Sequence, residues 1–236
     1  MTHGMTGSPI DFFFDPISPY GYLASTQIEA LAARHGRTVD WRPVLLSVTV
    51  LQIMGLKPVP LTPLKGEYSR DDKHRLASLL GVPLVEHGLG GAVSPIKSLR
   101  LFMALKARDP ALAARYARRL CAAHWAESQD IGDVGVLLRV AESVGVAAAE
   151  VHDALHDEAV NGALRTAVDD AVALGVFGVP TFRVDDQLIW GVDRLWMLEH
   201  WLEAGAWTPP LAGAARRSGL TANALPCPGL PDSMDG

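Results

Sequence analysis

Ser18-Pro19-Tyr20-Gly21 is the tetrapeptide of this chain with the most chemical content. It stands where a short aromatic run, Ile10–Phe14, gives way to Tyr20, Leu23, Ala24, Gln27 and Leu31, spaced as one face of a helix. A helix N-terminus presents unpaired N–H groups and about half a positive charge, and so attracts anions. A thiolate placed there is stabilised. Ser18 carries no thiol, but its hydroxyl can donate to one brought by a cofactor. The same residues also make an ordinary helix start, with Ser at the N-cap and Pro at the first helical position.

Two further points carry chemistry. In Gly178-Val179-Pro180-Thr181-Phe182, proline opens a predicted strand, where it withholds no ladder donor. A cis bond at Val179–Pro180 leaves the backbone of Val179 free to pair with a bound peptide. In Gly191-Val192-Asp193-Arg194, Asp193 is placed to cap the last helix and to grip an ammonium, and Arg194 to hold a carboxylate. Each also has a plain structural reading, as a strand start and as a cap beside a solvated charge pair.

These points need a scaffold, and the periodicities supply one. Strands are expected at Ile10–Phe14, Thr38–Leu46 (with Pro43 marking an edge or an end), and in a hairpin formed by Val179–Val184 and Leu188–Trp190. A helix is expected from Tyr20 to about His35, and a last one carries Leu195, Leu198 and Leu202 on one side. Between these β-containing ends, Lys65–Leu80, Lys97–Ala107, Ala111–Glu127, Asp133–Val144 and Ala159–Leu174 read as helices. The pattern is α/β: a split core at 10–46 plus 157–205, a large helical insertion at 47–156, and flexible termini at 1–9 and 206–236.

Composition narrows the classes. The chain has 236 residues and a net charge of −5, with 21 Lys+Arg and no basic block, which argues against a nucleic-acid partner. No run approaches the ~20 apolar residues of a membrane span, and the first residues lack the basic and apolar regions of a signal peptide. Cys121 and Cys227 are too far apart for a CxxC pair, so a reduced compartment, the cytoplasm, is expected. Cys121, with His124 one turn on, suits a buried small hydrophobe. His152 and His156 share a helical face, but the ligand set is incomplete and no metal is expected. Trp190, Trp196 and Trp201 suit core or interface positions.

Taken together, FFFDPISPYGYLA, the VPTF strand and LIWGVDRLWMLEHWL resemble the 2-hydroxychromene-2-carboxylate isomerases, which are related to kappa-class glutathione transferases within the DsbA-like thioredoxin fold. The Pro-rich LKPVPLTP connector followed by Lys65, Tyr68 and Asp72 at K-x-x-Y-x-x-x-D spacing extends the likeness, which spans about Ile10 to Trp201. The resemblance implies a thioredoxin-like fold and a glutathione-dependent isomerase of aromatic-compound catabolism, a homodimer acting on an aromatic keto acid. It implies that Ser18 orients the glutathione thiolate, that Val179 before cis Pro180 pairs with the tripeptide backbone, and that Asp193 receives the γ-glutamyl ammonium. Arg194 supports that end, Lys65 faces a carboxylate, and Tyr20 and Tyr68 lie beside the substrate. The family's Asn before the Pro-rich turn is Leu56 here, and the Ser between the Gly and Asp of the closing motif is Val192. A kappa-class-like transferase and a non-catalytic thioredoxin-like binding protein are the alternatives.

Overall fold

The computed structural model describes residues 7–86 and 93–208. Cys227 and most of the expected C-terminal tail, with Met1 to Thr6, lie outside the described residues. The strand β1 (Ile10–Phe14) is buried at every position, because it is sandwiched on both faces, as its unbroken apolar run requires. Phe12 and Phe14 pack with Trp41, Phe102 and Phe182 on one face. Phe13 points the other way, into a smaller cluster with Val44, Ala171, Val176 and Val179.

Around β1 the sheet is mixed, in the order β2-β1-β3-β4. β2 (Val39–Pro43) lies parallel to β1 at one edge, ending at the proline that cannot donate onward. β3 (Thr181–Val184) and β4 (Gln187–Trp190) are antiparallel and fill the other side. Their turn is two residues long, Asp185 and Asp186, both at positive φ (45° and 67°), the backbone that matches the twist of a tight hairpin. Gln187, expected in the turn, pairs with Val184 instead.

The helix expected from Tyr20 to His35 is two helices, α1 (Pro19–Ser25) and α2 (Ile28–Arg34). The hydroxyls of Ser25 and Thr26 donate back to the carbonyls of Tyr22 (2.6 Å) and Leu23 (2.8 Å). That competition with the helical ladder breaks the run. The connector after β2 contains a π-helical turn at Ser47–Ile53 and a 3-10 turn at Val59–Leu61. Its β-branched stretch Val48-Thr49-Val50 is a poor α-helix former.

The helices that follow are α3 (Lys65–Leu80), α4 (Ile96–Arg108), α5 (Pro110–Trp125), α6 (Val134–Glu142), α7 (Ala148–His156), α8 (Glu158–Ala173) and α9 (Leu195–Ala204). They agree with the expected spans to within about two residues; α7, which carries His152 and His156, is the addition. One apolar core joins them to the sheet, running from Phe12 and Phe182 through Phe102 and Tyr116 to Leu137, Val151 and Leu164. At the chain's described ends, Ser8 accepts from Arg37, and Trp207 lies tilted against Trp201 with ring centroids 4.9 Å apart. No helix among the described residues is long and apolar enough to cross a membrane.

Phe12 is fully buried among three aromatic rings, so Phe12→Ala should lower unfolding stability by about 3–5 kcal/mol. Phe177→Ala, at a half-exposed position, should cost under about 1 kcal/mol. Urea denaturation of the two variants checks the contrast.

Candidate active site

The register of the sheet decides where the sequence motifs meet. Phe13 faces Thr181 across the antiparallel pair, so the exit from β1 and the entry to β3 lie at the same end of the sheet. Ser18 follows the first, and Val179–Pro180 precedes the second.

Ser18 is the N-cap of α1, with φ −89° and ψ 120° and a hydroxyl that accepts from Gly21 N at 3.1 Å. It is 4% exposed. The capping role and the chemical role are compatible: accepting one N–H leaves the hydroxyl proton available to donate. Gly21 stands close to this cap, since a Cβ there would sit 3.2 Å from the Ser18 Cβ.

The Val179–Pro180 peptide is cis. Among the described residues the N–H and C=O of Val179 have no hydrogen-bond partner, although the residue is 7% exposed. Unpaired backbone groups at a shielded position are uncommon in folded proteins, and they form a short docking edge for an extended peptide. Gly178 lies close under Trp190: a Cβ there would stand 3.1 Å from the indole nitrogen.

The carbonyl of Pro180 accepts from Gly191 N at 2.9 Å, which brings the 3-10 turn Val192–Arg194 beside the cis peptide. Gly191 has φ +110°, and a side chain there would meet Asp193 and Arg194. Asp193 does not cap α9, contrary to the sequence expectation. Arg194 occupies the N-cap position, with no side-chain cap bond, because the 3-10 turn shifts the helix start beyond Asp193. The Asp193 carboxylate is therefore free of a helix and exposed, touched by Arg194 Nη1 at 3.4 Å. Arg194 also donates to the Trp190 carbonyl at 3.0 Å, so it braces the turn. Val192, where the family motif carries Ser, is buried in the core, while Leu56 is exposed.

Helix α3 closes the remaining side. Tyr20 Oη donates to Asp72 Oδ2 at 3.0 Å, tying α1 to α3. Burial and the Asp72 carboxylate push the Tyr20 phenol far up, with smaller pushes from Tyr68 and Asp193. Residues of α1, α3 and the 192–194 turn thus share one electrostatic neighbourhood, and Tyr20 remains a protonated donor rather than a base. Tyr68 is exposed, with the Arg75 guanidinium over its ring at 5.8 Å.

Lys65 opens α3, which is the wrong end of a helix for a cation. Immediately before it, Leu64 has φ 65° and ψ −51°, and Lys65 N donates to Pro63 O at 2.7 Å. That is a γ-turn, a strained backbone for a leucine. Gly66 is pressed against the 3-10 turn so closely that a Cβ would stand 2.5 Å from Pro60 O. Two local costs, a misplaced charge and a strained turn, coincide at Lys65, whose side chain is exposed. Such local conflicts concentrate at functional sites.

Other candidate groups are engaged elsewhere. Burial, with the nearby Asp15 carboxyl, pushes the Cys121 thiol far up, so it is no nucleophile at neutral pH. His124 is buried and bonds through Nδ1 to the Gln129 carbonyl at 3.0 Å. His156 Nδ1 bonds to the carbonyl of His152, inside α7. His35, Glu199 and Glu203 form a cluster of ligand type, where Arg34 already pairs with Glu199 at 2.9 Å. Trp190 and Trp196 are about half exposed, whereas Trp201 packs against the core.

Sequence reasoning passed over Asp15. It directly follows the aromatic strand, and it is 1% exposed with a carboxyl that burial raises to about 7. An acid placed immediately after an all-buried strand was the available signal.

The chain matches the family model described as a DSBA-like thioredoxin domain over residues 9–203. It is 32% identical over 198 residues to the 2-hydroxychromene-2-carboxylate isomerase of Sphingobium xenophagum, covering 82% of this chain and 97% of that protein. It is 27% identical to glutathione S-transferase kappa 1 of Rattus norvegicus, covering 82% and 90%. A solved structure of a 2-hydroxychromene-2-carboxylate isomerase superposes with a TM-score of 0.72 at 28% identity, covering 82% of this chain and 94% of that one. Sequence match and sheet topology agree, and the chain belongs to the DsbA-like thioredoxin family, in a group whose members include isomerases and glutathione transferases.

Proposed function

We propose that the protein is a glutathione-dependent isomerase of the 2-hydroxychromene-2-carboxylate type. The observation that carries this reading is the Ser18 hydroxyl at a helix N-cap, at the same sheet end as the unpaired backbone of Val179 before a cis proline. The surrounding groups fit an anionic tripeptide bearing one ammonium. Lys65 offers an exposed cation for a carboxylate, Asp193 an exposed anion, loosely paired with Arg194, for the α-ammonium, and Val179 a backbone pair for the cysteinyl unit.

When bound, glutathione supplies a thiolate that adds to a conjugated double bond of the substrate, lets the resulting single bond rotate, and departs with the double bond restored. The residues of the chain have simpler tasks. Ser18 would donate a hydrogen bond to the sulfur, and the N-terminus of α1 would favour its negative charge. Tyr20 keeps α1 and α3 in register through Asp72. With serine where a redox pair would need its first cysteine, the site has no disulfide to exchange.

Transfer of glutathione to an electrophile at the same site is the second reading, favoured by the kappa-class relative. Our reading also includes a cytoplasmic location, a role in aromatic-compound catabolism and a homodimer. The dimer is supported by the exposed apolar side chains Leu51, Ile53, Leu56, Val59, Leu61 and Leu64 along one connector.

Calorimetric titration with glutathione is the first test, and no binding at millimolar glutathione overturns the reading. Ser18→Ala should cut turnover of hydroxychromene carboxylate, followed by its ultraviolet spectrum, about a hundredfold while glutathione affinity stays within a few-fold; unchanged turnover removes Ser18 from the mechanism. Lys65→Met should weaken glutathione about tenfold to a hundredfold, the range for losing a charged hydrogen bond. The same substitution should raise unfolding stability by a few tenths to about 1 kcal/mol, since it removes a cation from the positive end of α3. Sedimentation equilibrium tests the dimer, and a monomer at high micromolar protein contradicts it.

A further inference from the structure

Asp15 is the buried ionisable group nearest in sequence to Ser18, and nothing in the chemistry above uses its side chain. The carboxylate accepts from Ile17 N at 3.1 Å through one oxygen and from Leu46 N at 2.9 Å through the other. Its own carbonyl accepts from Ser18 N at 3.0 Å. One residue therefore binds two amides of the loop that carries the serine, together with the first amide of the connector leading to Lys65. Trp125 of α5 pins the same loop from the far side, donating from Nε1 to the Pro16 carbonyl at 3.0 Å.

We infer that Asp15 is a positioning residue for the thiolate site: its carboxylate locks the Ser18 loop to the connector, and its charge state sets the field beneath the thiolate. This rests on the glutathione reading above. An ionised Asp15 accepts both amides but opposes a second anion at the N-terminus of α1, whereas a protonated one removes that repulsion and loses part of an acceptor. The two groups titrate as a coupled pair. Burial holds the Asp15 carboxyl at about 7, so the coupling falls in the neutral range. The ionisable groups around it are few. α5 contributes Tyr116, Cys121 and His124 on its buried side, and α1 contributes the buried Tyr22 and the half-buried Tyr20. The 44–56 stretch has none. On the strands, Asp11 and Arg42 pair at 3.1 Å, and Asp40 pairs with Arg42 at 3.8 Å.

The test uses the whole protein. Carboxyl-carbon NMR follows the Asp15 titration, assigned by its absence in Asp15→Asn, for the free protein and with glutathione or S-methylglutathione. The expected result is a higher Asp15 midpoint with glutathione than with S-methylglutathione, which has no ionisable thiol; equal midpoints overturn the electrostatic part. Asp15→Asn should lower kcat about tenfold to a hundredfold, the scale of a sub-ångström misplacement, with glutathione affinity within a few-fold. Any inflection of the wild-type pH–rate profile that comes from the Asp15 titration should be absent from Asp15→Asn. An unaltered pH profile and kcat overturn the inference. Amide exchange gives a ligand-free check: in Asp15→Asn, Ile17 N–H or Leu46 N–H should exchange at least about tenfold faster, and unchanged protection of both overturns the locking role. If the variant does not fold, the wild-type midpoints decide. If the wild type binds no glutathione, the functional reading fails, and the locking role is judged on exchange alone.

Discussion

A strand buried on both faces has nowhere to go at its end except into an element that satisfies its departing amides. β1 meets that demand within four residues. Asp15 takes the amides of Ile17 and Leu46, its carbonyl takes that of Ser18, and Ser18 takes that of Gly21. Every piece of the site is then referred to this exit. The connector is held at Leu46, the cis peptide enters at the same sheet end through the β1–β3 register, and the 192–194 turn hangs from Pro180. The chemistry sits where backbone accounting at the end of a buried strand is tightest.

The site is assembled from segments that are individually uncomfortable. Leu64 adopts a strained γ-turn, Lys65 faces the positive end of its own helix, and Asp193 forgoes the cap that its position offers. None of these choices serves folding. On the proposed reading, they are the groups that an anionic peptide with one ammonium would meet. The Tyr20–Asp72 bond ties α1 to α3 beside them.

Much of this was legible in the sequence, and for identifiable reasons. The aromatic run of β1, the cap-and-proline start of α1, the proline at the entry to β3 and the 3.6-residue patterns of α4, α5, α6 and α8 are local signals with local causes. What escaped depended on distant partners or on side-chain competition. The break between α1 and α2 comes from two hydroxyls folding back on the helix, and the start of α9 moved because a 3-10 turn intervenes. The role open to Asp15 depends on Leu46, 31 residues away, and no periodicity reports such a contact.

The pairing of β1 with β3 carries a cost in time. Asp11 and Arg183 face each other across 172 residues of chain. At synthesis speeds of about 5–20 residues per second, the aromatic strand waits roughly 9–34 s for its second neighbour to leave the ribosome. Phe12, Phe13 and Phe14 must be shielded meanwhile by β2 and the early helices alone, and long-range pairings of this kind form slowly. The helices between the two halves of the sheet therefore also act as a temporary cover during biogenesis, and a nascent chain that stalls before residue 181 is the form most exposed to chaperones and to aggregation.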